Sequence, residues 1–67
     1  MWVVNDLMLV NFIEPGDVVK VEDSIVHVRG IEEQGEIVLL YGHDDNWGEE
    51  AIWEYPSDTM IEVMIED

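Results

Sequence analysis

The chain has 67 residues, 48% of them hydrophobic, with 17 Asp and Glu against two Lys and Arg, a net charge of −15 and no cysteine. That apolar content separates it from acidic disordered chains, and the missing cysteine removes disulfides, thiolate metal ligands and thiol nucleophiles. A surface this negative repels phosphate backbones and anionic headgroups, so direct nucleic-acid or membrane binding is not expected.

The start, Met1-Trp2-Val3-Val4-Asn5-Asp6, lacks a basic region and is broken early by polar residues, so it does not read as a signal peptide. No apolar run reaches the roughly 20 residues of a membrane helix. Small secreted domains usually carry disulfides, so the composition points to a cytoplasmic setting. One domain, residues 1–67, accounts for the whole length.

Residues 1–13 read two ways. Leu7 and Val10 have helical spacing, with Asn5 or Asp6 as a cap, while Trp2–Val4 and the run Leu7-Met8-Leu9-Val10 suit a strand. Pro15 ends either element. From there turn signals recur every eight to twelve residues: Glu14-Pro15-Gly16-Asp17, Glu22-Asp23-Ser24, Glu33-Gln34-Gly35, Gly42 through Gly48, and Tyr55-Pro56-Ser57-Asp58. Five strands lie between and after them.

The first, 17–22, places Val19 and Val21 on one face. The second, 24–32, alternates Val26 and Val28 with His27 and Arg29, and Gly30 marks a bulge that re-aims Ile31. The third, 36–41, is apolar on both faces and reads as a central strand. The fourth, 49–55, sets Ala51, Trp53 and Tyr55 opposite Ile52 and Glu54. The last, 60–66, turns Ile61, Val63 and Ile65 inward and Met60, Glu62 and Met64 outward.

Pro15-Gly16-Asp17-Val18-Val19 opening a strand, a three-strand meander, and Tyr55-Pro56-Ser57-Asp58 before a short final strand resemble the layout of small SH3-like barrels across residues 14–65. The resemblance implies a five-stranded all-β barrel with a one-turn 3₁₀ element at Pro56-Ser57-Asp58. The Ala-Leu-Tyr-Asp-Tyr-like stretch and tandem tryptophan of peptide-binding SH3 domains are absent, so it implies a fold and no proline-rich-peptide site.

No nucleophile–base pair, phosphate loop or zinc signature stands out, and no enzyme, cofactor or metal site is expected. His27 reads as a solvent-facing strand residue, and the carboxylates as a solvated acidic face. The segment Gly42-His43-Asp44-Asp45-Asn46-Trp47-Gly48-Glu49-Glu50 is rich in oxygen ligands, but its spacing is not that of an EF-hand, and it reads as a hairpin loop. Trp47, isolated in that loop, is either a lid on the core or a partner anchor.

The expected partner site therefore combines the aromatics Trp47, Tyr41 and Trp53 with the carboxylates Asp44, Asp45, Glu49 and Glu50, and Trp53 leans towards the core. The expected function is a non-catalytic interaction module that meets a basic protein surface. The alternatives are a DNA-mimic inhibitor, of a kind often phage-encoded, and a small accessory subunit of a larger assembly. Met60, Met64 and Trp2 form a candidate homodimer face.

Overall fold

The computed structural model describes residues 1–46 and 48–67. It is all-β: six strands make one antiparallel open sheet, and the described residues contain no α-helix. The strands are β1 (Trp2–Leu9), β2 (Val18–Val21), β3 (Ser24–Gln34), β4 (Ile37–Asp44), β5 (Glu50–Pro56) and β6 (Met60–Glu66). Their order across the sheet is β1-β6-β2-β3-β4-β5, so β1 and β5 are the edges.

The sixth strand is the N-terminal segment. Its apolar run is too short for periodicity to separate helix from strand, and pairing with β6 decides the matter. A register shift between Val4 and Asp6 accommodates Asn5 as a bulge. A 3₁₀ turn, Val10–Phe12, follows β1, and Val10 donates its N–H to the Thr59 carbonyl at 2.8 Å. The 3₁₀ element expected at Pro56-Ser57-Asp58 is instead a simple turn, closed by the Thr59 N–H to the Pro56 carbonyl at 3.0 Å.

The core lies on one face. Val19 and Val21 of β2, Val26 and Val28 of β3, Val38 and Leu40 of β4 and Ile61 of β6 are buried there, with Val10 and Ile13 from the connector. Cross-strand pairs such as Val19↔Val26 and Val19↔Val63 stack these positions directly. Trp53 and Tyr55 of β5 pack against this cluster while keeping part of their surface exposed. Among the described residues no fully buried side chain is aromatic; the largest are Leu40 and four valines. The core is thin, as the chain length dictates.

Two β6 residues keep their expected faces but not the burial expected there. Ile65 is exposed, because β2 pairs with β6 only as far as Met64, leaving no core opposite Ile65. Met64 does face outward, in register with Val4 and Val18, yet it is only 7% exposed. The Trp2 indole reaches from β1 to the His27 ring on β3, with centroids 5.5 Å apart and planes at 82°. Met64 and Val18 pair on the two strands between them.

Among the described residues, one that is not glycine has a left-handed backbone. The two-residue connection between β2 and β3 places Glu22 at φ 55°, a left-handed conformation that favours glycine.

Candidate functional site

The pairing of β3, β4 and β5 determines which side chains share the face opposite the core. Leu40↔Trp53 and Val38↔Tyr55 turn both β5 aromatics towards the core. The alternate positions, Tyr41↔Ile52, Leu39↔Glu54 and His43↔Glu50, therefore point outward. On β3 the same outer face carries His27, Gly30 and Glu32, opposite His43, Tyr41 and Leu39 respectively.

The result is an apolar centre with an acidic rim. Ile52 is 60% exposed, with Tyr41 directly across from it and Leu39 on the neighbouring row. Glu32, Glu50 and Glu54 surround them. Two of these carboxylates are held in place: the Tyr41 hydroxyl donates to Glu32 Oε2 at 2.6 Å, and Arg29 Nη1 donates to Glu50 Oε2 at 2.5 Å. The Tyr41 hydrogen bond, assisted by Gln34, holds the Glu32 carboxyl below its usual range, while the same bond to Glu32 pushes the Tyr41 hydroxyl up.

Beyond Glu50, the outer face continues into the histidines. The His27 and His43 rings stack with centroids 5.0 Å apart and planes 7° from parallel. His27 Nε2 is 2.6 Å from Asp45 Oδ1. Asp45 is anchored by its own N–H to the Ile25 carbonyl at 2.8 Å, and the Asp44 carboxylate accepts the Asn46 N–H at 2.7 Å. The Asp44 side chain thus shapes the hairpin end locally. Among the described residues, no group of three or more His, Asp or Glu is placed to hold a metal ion.

Of the residues expected to bind a partner, the structure brings Tyr41 and Glu50 onto this face, with Asp45 joined to it through His27. Asp44 falls in register with the buried Val26, on the other side of β4. Glu49 is exposed just before β5. Trp53, which leaned towards the core, is turned to it by its β5 register and packs against the buried cluster, off the outer face. Trp47 lies outside the described residues.

Ile52, Leu39, Glu32 and Glu54 complete the patch and were not singled out from the sequence. Their signal was the period-two alternation of β5, which sets Ile52 and Glu54 opposite Trp53. The histidine stack depends on cross-strand register, which alternation alone does not reveal. No helix of the described residues is long and apolar enough to cross a membrane. Comparison with protein-family models, with curated proteins and with solved structures gave no match.

Proposed function

We propose that the chain is a non-catalytic interaction module whose outer β3–β5 face binds a basic surface on another protein. The scaffold we infer is an SH3-like barrel extended by an N-terminal strand. In its support, the last five strands run in the order β6-β2-β3-β4-β5, and Trp53 and Tyr55 of β5 share one core with Ile61 of β6.

The observation that carries the functional reading is an exposed apolar centre, Ile52 with Tyr41 and Leu39, ringed by the carboxylates Glu32, Glu54 and the Arg29-paired Glu50, on a chain whose cations fall far short of its carboxylates. Two Lys and Arg, two His and the N-terminus supply at most five cations against 17 Asp and Glu, which leaves at least 12 carboxylates beyond their reach. No charged side chain is buried among the described residues, so this charge faces solvent. Apolar centre and charged rim are the ordinary anatomy of a protein interface. The rim accelerates encounter with a basic partner and repels acidic ones.

A DNA mimic would rely on carboxylates alone and would gain little from Ile52 and Tyr41 at the centre of the patch. The test is affinity capture from an extract of the source cells at low and at high salt, with wild type and Ile52→Lys as baits. The reading expects a basic protein that is retained at low salt, released by salt and lost with Ile52→Lys. Capture unaffected by Ile52→Lys, with competition by duplex DNA, would instead favour the mimic.

A further inference from the structure

We propose that β1 is the seam of a homodimer, formed when its free edge pairs antiparallel with β1 of a second copy. The sheet's two edges differ sharply. β5 carries Glu50, Glu54 and Pro56, the charges and proline by which natural sheets keep edges from pairing. β1 contains neither lysine nor proline; its guards are limited to the Asn5 bulge and its one charged residue, Asp6, which accepts the Leu7 N–H at 2.8 Å. Among the described residues, β1 pairs only with β6, so the main chain along its other side is an open template.

The charge distribution favours the same place. Residues 1–13 contain one of the 17 carboxylates, Asp6, so a second copy of charge −15 meets the least opposition there. Beside the edge, Val4 is 51% exposed, Leu7 54% and Met60 49%, all on the outer face, as the pairs Val4↔Met64, Leu7↔Glu62 and Leu9↔Met60 require. Met64 is withdrawn from this strip by burial, and Trp2 is turned towards His27.

The fitting occupant must bring a nearly uncharged strand edge and an apolar row beside it. The chain's own β1 is such an edge, and two-fold pairing gives each strip the other as its cover. A standard interface takes about 800 Å² per partner, roughly a fifth of this molecule's 4432 Å² surface, which sets the area that the paired strips have to cover. A thin core of small aliphatics also leaves a chain of this length dependent on some added support, which association supplies. The seam's exposed residues, Val4, Leu7 and Met60, are distinct from the Ile52, Tyr41 and Leu39 patch, although Trp2 of β1 reaches His27 at that patch's edge, so either proposal can fail alone.

Sedimentation equilibrium of the intact chain tests it. The expected mass rises with concentration towards twice 7.8 kDa, and the dissociation constant tightens by about tenfold between roughly 0.05 and 0.5 M NaCl as salt screens the repulsion. Binding of a basic partner responds to salt in the opposite sense. Leu7→Lys reduces the repulsive charge yet is expected to leave a monomer; Ile52→Lys makes the same charge change on β5 and is expected to leave the dimer intact. Hydrogen exchange needs no variant: amides of β1 should gain protection as wild-type concentration rises. A monomer at every concentration and salt, a Leu7→Lys dimer equal to wild type, or concentration-independent β1 exchange overturns the proposal.

Discussion

His27 and His43, the only two histidines of the chain, stack face to face at 5.0 Å because β3 holds one extra residue. From Gln34↔Ile37 to Gly30↔Tyr41 the two strands pair in one register; after the shift between Val28 and Gly30 they pair as Val28↔Gly42 and His27↔His43. Continued unbroken, the first register would set His27 opposite Asp44. The bulge thus assembles a ladder from Trp2 through His27 and His43, in register with Glu50, at the edge of the proposed interface.

This stack contributes to stability as aromatic pairs do. His43→Ala is expected to cost about 1 kcal/mol in chemical denaturation, whereas His43→Phe, which keeps a flat ring over His27, is expected to retain most of it. Equal losses in the two variants would mean that the stack is incidental.

The Tyr41–Glu32 hydrogen bond predicts opposite pH effects at the two ends of the scale. Glu32 has a lowered pKa in the fold, so its contribution is present at neutral pH and is lost as pH falls through that lowered value. Tyr41 has a raised pKa, so its contribution holds below the usual value of about 10 and is lost as pH rises through the raised value. In Tyr41→Phe, carboxyl NMR titration should show Glu32 moving up towards the ordinary range, only part of the way, because Gln34 also lowers it. An unmoved midpoint would contradict the bond.

Gly42 is buried directly across from Val28, and the hairpin depends on its lack of a side chain. A Cβ there would collide with the His27 carbonyl oxygen and come within 2.9 Å of Val26 Cγ1. The first obstacle is backbone and cannot rotate away. Gly42→Ala is therefore expected to cost about 2 kcal/mol or more and to disturb the histidine stack. A variant as stable as wild type would place these strands further apart.

Self-repulsion across a chain of charge −15 predicts that salt stabilises it. The melting temperature should rise steadily with added NaCl, measured at one protein concentration in both wild type and Leu7→Lys. The shared part of the rise reports repulsion within one chain, and any excess in wild type reports dimerisation. A melting temperature indifferent to salt in both proteins would mean that the carboxylates do not act as an uncompensated shell.

Much of the fold was legible from residue alternation. Val19, Val21, Val26 and Val28 are inward, Trp53 and Tyr55 lie opposite Ile52 and Glu54, and a bulge falls beside Gly30, as the residues indicated. What stayed hidden depends on contacts distant in sequence. β1 is a strand because β6, more than fifty residues later, pairs with it. Met64 is only 7% exposed on the outer face that Trp2 and His27 share, and Ile65 is exposed where β2 no longer pairs with β6. The site was half visible for the same reason. Aromatic and acidic residue types drew attention to Tyr41, Trp53 and Glu50; alternation along β5 already sets Ile52 opposite Trp53, but only cross-strand register brings Ile52 against Tyr41 and Glu50 against His43.

The central claim is that the outer face of β3–β5 is where a basic protein binds. Its most direct test is amide chemical-shift mapping of the isotope-labelled chain, titrated at low salt with the basic protein recovered by capture. The account predicts saturable shifts concentrated at Leu39, Tyr41, Ile52 and Glu54 that diminish with added NaCl. Shifts concentrated instead around Lys20 and Glu62 on the β2–β6 side, or spread evenly over the surface without saturation, would contradict it.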